Sequence, residues 1–81
     1  MEVELVIDNP EFEEQYVEFF NGNSLECHAW AYNKIQEFLD YFPKYARLST
    51  EVDEPIGKRY AIIIRAEKPF NNFMIGAYFY E

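Results

Sequence analysis

Cys27 and His28 are the single cysteine and the single histidine of an 81-residue chain, so thiol or imidazole chemistry would have to be built on them. They are adjacent in a stretch with helical periodicity, where neighbours point about 100° apart and do not face each other. No third group is placed to orient a Cys-His pair. His28 falls near the centre of an apolar arc, and it reads as a core histidine with one hydrogen-bonded ring nitrogen. Carboxylates are plentiful, with Asp and Glu totalling 15, but general acid–base work needs one of them buried beside a cleft. The Glu-rich segments read instead as solvated faces. Glu51-Val52-Asp53-Glu54 lacks the glycine and the regular spacing of a calcium loop. Gly22, Gly57 and Gly76 are too scattered to form a phosphate-cradling loop. We therefore expect no catalytic residue, no cofactor and no metal, and not an enzyme.

What remains is binding chemistry, concentrated in Asn9 to Phe20, N-P-E-F-E-E-Q-Y-V-E-F-F. Asn9 can cap a helix, Pro10 suits its first position and Asn21-Gly22 supplies a stop. Helical spacing would gather Phe12, Tyr16, Phe19 and Phe20 on one arc and Glu11, Glu14 and Glu18 on the other. Like charges three and four residues apart destabilise a helix by roughly 0.2–0.5 kcal/mol per pair. No lysine or arginine in the segment offsets them. A local rule broken without compensation is a place to look for function.

The charge is also unevenly distributed. Glu2, Glu4, Asp8, Glu11, Glu13, Glu14, Glu18, Glu26, Glu37 and Asp40 face Lys34 alone in residues 1–40, whereas the second half is nearly balanced. With a net charge of −8, direct nucleic-acid binding is disfavoured and a protein partner with a basic surface is favoured. A hydrophobic content of 49% over so short a chain argues for one compact domain, residues 1–81. One cysteine permits no internal disulfide and suits a reducing compartment. No apolar run approaches the roughly 20 residues of a membrane span. The expectation is a cytoplasmic domain that does not enter a membrane.

Four segments alternate as strands do. In Met1 to Asp8, Val3, Leu5 and Ile7 point one way. Tyr45 to Asp53 turns Ala46, Leu48, Thr50 and Val52 inward. Lys58 to Glu67 and Phe73 to Tyr80 follow. Between them, Asn23-Ser24-Leu25-Glu26 has the form of a capping box and Pro43 a stop, giving a second helix of about nineteen residues. Its apolar arc comprises Cys27, Ala31, Ile35, Phe38, Leu39 and Phe42, with Leu25 and Tyr32 at its edge. The expected fold is α+β in the order β-α-α-β-β-β, one antiparallel four-stranded sheet with two helices packed on one face.

Trp30 and Tyr41 project from the polar side of the second helix beside Glu37, and exposed Trp and Tyr are typical of binding hot spots. Glu11, Glu14, Glu18, Trp30, Glu37 and Tyr41 are thus the expected partner-binding residues. The other face of the sheet, with Tyr45, Arg47, Arg59, Arg65, Met74, Tyr78 and Tyr80, also allows a homodimer. It lacks the glycine, aromatic and basic run of an RNA-binding sheet. In size and charge the chain looks like phage-encoded anti-restriction or anti-CRISPR proteins and like nuclease-toxin immunity proteins. That likeness is one of composition, with no motif behind it, and transfers no residue. The reading is a small acidic inhibitor that blocks a basic, nucleic-acid-handling enzyme. A homo-oligomeric accessory module built on the aromatic sheet face is the alternative.

Overall fold

The computed structural model describes residues 1–10, 13–44, 46–53 and 60–80. The elements run β1 (Glu2–Asp8), β2 (Tyr16–Asn21), α1 (Ser24–Leu39), β3 (Leu48–Asp53), β4 (Tyr60–Ala66) and β5 (Met74–Tyr80). The strands form one antiparallel sheet in the order β2-β1-β5-β4-β3, and α1 lies over β1, β2 and β5.

The structure overturns the expected β-α-α-β-β-β fold. The sheet has five strands, not four, and one helix, not two, packs on it. The acidic segment expected to be the first helix contributes β2, paired with β1 from Glu2 opposite Asn21 to Ile7 opposite Tyr16. The reason lies in β1. Val3, Leu5 and Ile7 are fully buried on the α1 side and Val6 is buried on the other, so β1 is an interior strand needing a neighbour along each edge. Tyr16-Val17-Glu18-Phe19-Phe20 supplies one, with aromatic and β-branched residues that fit a pleated surface. Of the glutamates that a helix would have crowded, Glu18 lies in the strand and Glu14 in the bend before it. Glu11 and Phe12 lie outside the described residues.

The other three strands are present, but β3 starts at Leu48 and its residues expected inward, Leu48, Thr50 and Val52, are exposed; Tyr45, Lys58 and Arg59 lie outside the described residues. The second expected helix begins where its sequence indicates and ends at Leu39, shorter than the nineteen residues expected. Asn23 Oδ1 accepts the Glu26 N–H at 2.8 Å, while the Asn23 N–H donates to Glu26 Oε1 at 3.1 Å, the two halves of a capping box. The last turns release the chain through the Tyr41 N–H to Phe38 O and Phe42 N–H to Leu39 O bonds. The core is a layer of Val3, Leu5, Ile7, Ile75, Ala77 and Phe79 beneath Cys27, Ala31 and Ile35. Burying each large side chain there contributes roughly 1.5–3 kcal/mol.

Candidate functional site

Strand β2 and helix α1 meet along a seam of aromatic residues. On β2, Tyr16, Glu18 and Phe20 share the α1 side of the sheet with their partners Ile7, Leu5 and Val3. Phe20 stacks on Trp30 with ring centroids 5.3 Å apart, and Tyr16 meets Phe38 at 5.2 Å, which in turn meets Tyr41 at 5.9 Å. Trp30 is therefore half-buried beneath the very segment read as acidic, whereas Tyr41 is 52% exposed.

Charge is organised on the same seam. Lys34 Nζ sits 3.2 Å from Glu18 Oε2 and 5.8 Å from the Trp30 ring centroid, within reach of a cation–π contact. The Tyr16 hydroxyl donates to Glu18 Oε2 at 2.5 Å. That hydrogen bond is the main cause holding the Glu18 carboxyl below its ordinary range; Lys34 adds to it and partial burial opposes it. Tyr16 is pushed up, first by the same bond, then by burial and by the negative charges of Glu18 and Glu37. Two of the expected binding carboxylates thus converge with Trp30 and Tyr41, though by strand–helix packing and not along a single helix face. Glu14 lies apart in the segment before β2, exposed, and Glu11 is outside the described residues.

Cys27 and His28 are occupied structurally. The buried Cys27 thiol donates to Met1 O at 3.4 Å and Gly22 O at 3.6 Å. His28 donates from Nδ1 to Ser24 O at 2.6 Å, and its ring stacks 4.7 Å from Phe79 and 5.6 Å from Tyr60. They face different surroundings.

A second surface lies across the molecule. Because α1 packs chiefly on β2, β1 and β5 and reaches β4 through His28 on Tyr60, an apolar cavity of about 470 Å³ opens beside it over β4, with Leu25, His28, Tyr32, Ile35, Ile62 and Ile64 among its lining. Leu25 is 80% exposed, and Val52 on the neighbouring edge strand 73%. Leu25 and Tyr32 stood at the edge of the helix's apolar arc, a sequence signal that the arc is wider than one contact can bury.

The side of the sheet away from α1 is partly covered by its own residues. A side chain at Gly76 would meet Tyr78 Cε2 at 2.9 Å, so the Tyr78 ring lies back over Gly76. Gly76 stands between Val6 and Ile63 in register, and both are buried, although among the described residues no helix packs on that side. No protein-family model, no curated protein and no solved structure matches the chain.

Proposed function

We propose that the protein acts by protein–protein contact, as a small acidic inhibitor that occupies the basic surface of a nucleic-acid-handling enzyme. The observation that carries this reading is the spatial fate of the acidic sequence half. The described residues of this half supply β1 and β2 on one flank of the sheet, with α1 against them. Lys34, the one base in that half, is engaged with Glu18. Glu13, Glu14, Glu26, Glu37 and Asp40 are exposed. Tyr41 on the same flank, and Phe19 at 56% exposure, supply the aromatic anchors that charge complementarity alone lacks.

Charge spacing shapes the mode of action. Glu26 and Glu37 stand at either end of α1, about 16 Å apart by helix rise, while duplex DNA carries one charge per roughly 1.7 Å of axis. The flank does not copy a phosphate ladder; it would block by occupying the basic surface, with steered association.

The test is capture of the partner on immobilised protein, identification by mass spectrometry, and titration between about 50 mM and about 200 mM salt. Glu14→Lys with Glu37→Lys should slow association at low salt. Both positions are exposed, so the change reports on binding, whereas Glu18→Lys would also disrupt the Lys34 and Tyr16 contacts. A partner bound equally well by the double reversal, at both salt concentrations, refutes the proposal.

A further inference from the structure

We infer that a second copy of the chain pairs with the first along β3, edge to edge and antiparallel, about a two-fold axis at Thr50. This is a different surface from the acidic flank and stands independently of it. β3 ends the sheet, and among the described residues no strand lies on its far side. Its outward-facing groups can be assigned. The Glu67 N–H donates to Arg47 O at 2.8 Å across the β3–β4 pair, and antiparallel ladders alternate hydrogen-bonded and non-bonded residues. Arg47, Ser49 and Glu51 thus turn their backbone groups toward β4. Leu48, Thr50 and Val52 turn theirs to the open edge.

Two such edges fit each other in one register better than in its neighbours. With Thr50 opposite itself, Leu48 of one copy faces Val52 of the other, and every one of these residues presents outward N–H and C=O groups. Leu48 and Val52 lie on the α1 side, opposite Ala66 and Ile62, and are 45% and 73% exposed. The pairing gives each an apolar cross-strand neighbour. On the other side, each Glu51 falls diagonal both to Arg47 and to its own symmetry mate, so charge there is mixed and the apolar Leu48–Val52 match is what favours this register. Centring the axis on Glu51 instead sets glutamate against glutamate. Centring it on Ser49 gives up the Leu48–Val52 match.

Charge also selects β3 over the other edge. β2 carries Glu18 and follows Glu13 and Glu14, so two β2 edges would bring like charges together. Pairing at β3 places the nearly balanced halves at the seam and the acidic flanks at the far ends. An isologous two-fold contact closes on itself and does not propagate into fibres. A six-residue edge is small beside the roughly 800 Å² per partner of a standard interface, so the dimer forms as protein concentration rises.

Cysteine scanning of the full chain tests the register. Hydrogen-bonded antiparallel pairs have Cα atoms about 5.5 Å apart, inside the disulfide range. Thr50→Cys should form a covalent dimer under mild oxidation. Leu48→Cys alone should not, because its symmetry mate lies about 14 Å along the seam, but mixed with Val52→Cys it should cross-link. In sedimentation equilibrium, Val52→Asp should weaken self-association by at least about tenfold, because each substitution acts at two symmetry-related pairs. Phe19→Asp, on β2, should leave it unchanged. Circular dichroism checks that each variant keeps the fold. Cross-linking of Thr50→Cys no faster than of Leu48→Cys, or undiminished association of Val52→Asp, overturns the inference.

Discussion

Replacing Gly76 with alanine should destabilise the protein, and the same replacement in a chain lacking the Tyr78 ring should stabilise it. A Cβ at position 76 would lie 2.9 Å from Tyr78 Cε2 and 3.2 Å from its Cζ and hydroxyl oxygen, well inside ordinary contact distance. Either the ring moves off the strand, uncovering Val6 and Ile63, or the backbone shifts. Overpacking of this kind costs about 1–3 kcal/mol. Against it stands the gain of about 0.5–1 kcal/mol from removing a strand glycine. The net expectation for Gly76→Ala is a loss of about 1 kcal/mol, or about 4–8 °C in Tm for a domain of this size. In the Tyr78→Ala background the clash is absent, and Gly76→Ala should raise stability by about 0.5–1 kcal/mol. The double-mutant cycle should show a coupling of roughly 1–3 kcal/mol, read by urea denaturation. Trp30, packed on Phe20, serves as the fluorescence reporter. Equal effects of Gly76→Ala in both backgrounds would refute the idea that the ring occupies the glycine's side-chain space.

Two further outcomes follow from the seam and from the helix start. Glu18 is held below its ordinary range, so its contribution to stability is present above the unfolded carboxylate value and lost as pH falls through the lowered folded value. Tyr16 is raised, so its contribution is present below the unfolded tyrosine value and lost as pH rises through the raised one. Tyr16→Phe removes the shared hydrogen bond. The stability difference between wild type and variant, measured by thermal melts across pH, should be largest between these limits and shrink at both ends. A difference that stays constant with pH would sink the assignment. Asn23→Ala, which deletes the side-chain half of the capping box, should lose about 0.5–2 kcal/mol in denaturant titration. An unchanged midpoint would mean the cap contributes nothing.

Much of the architecture was legible in short-range signals. Val3, Leu5 and Ile7 alternate as a strand must, and Asn23 with Glu26 marked the start of α1 to the residue. The segment Asn9 to Phe20 misled because its signals were also short-range and pointed elsewhere: Asn9 and Pro10 suit a helix start, yet Tyr16 onward is strand. What decided the matter was not in the segment. Val6, on the second face of β1, needed cover and a pairing partner, and that demand is visible only once β1 is an interior strand. The seam was half legible for the same reason. Trp30 and Glu37 were read from the polar side of the helix, but the strand that packs against Trp30, and Lys34 lying across to Glu18, depend on a long-range pairing that periodicity does not encode. Strand order was likewise invisible, because β1 and β5 meet from opposite ends of the described chain.

That meeting sets an order on assembly. Among the described strands of the sheet, β5 is synthesised after the other four, yet it lies between β1 and β4. Before it emerges from the ribosome, the chain can pair β1 with β2 beneath α1 and β3 with β4, but no strand pairing joins the two. Both sides of the gap present open backbone groups, one bordered by Val3, Leu5 and Ile7 and the other by Ile62 and Ile64. Any such arrangement formed without β5 would have two additional sticky edges, and β5 covers both in the folded sheet. A chain stalled or cut before Met74 would carry those edges permanently, so its fate should be aggregation or capture by chaperones, not a smaller version of the same fold.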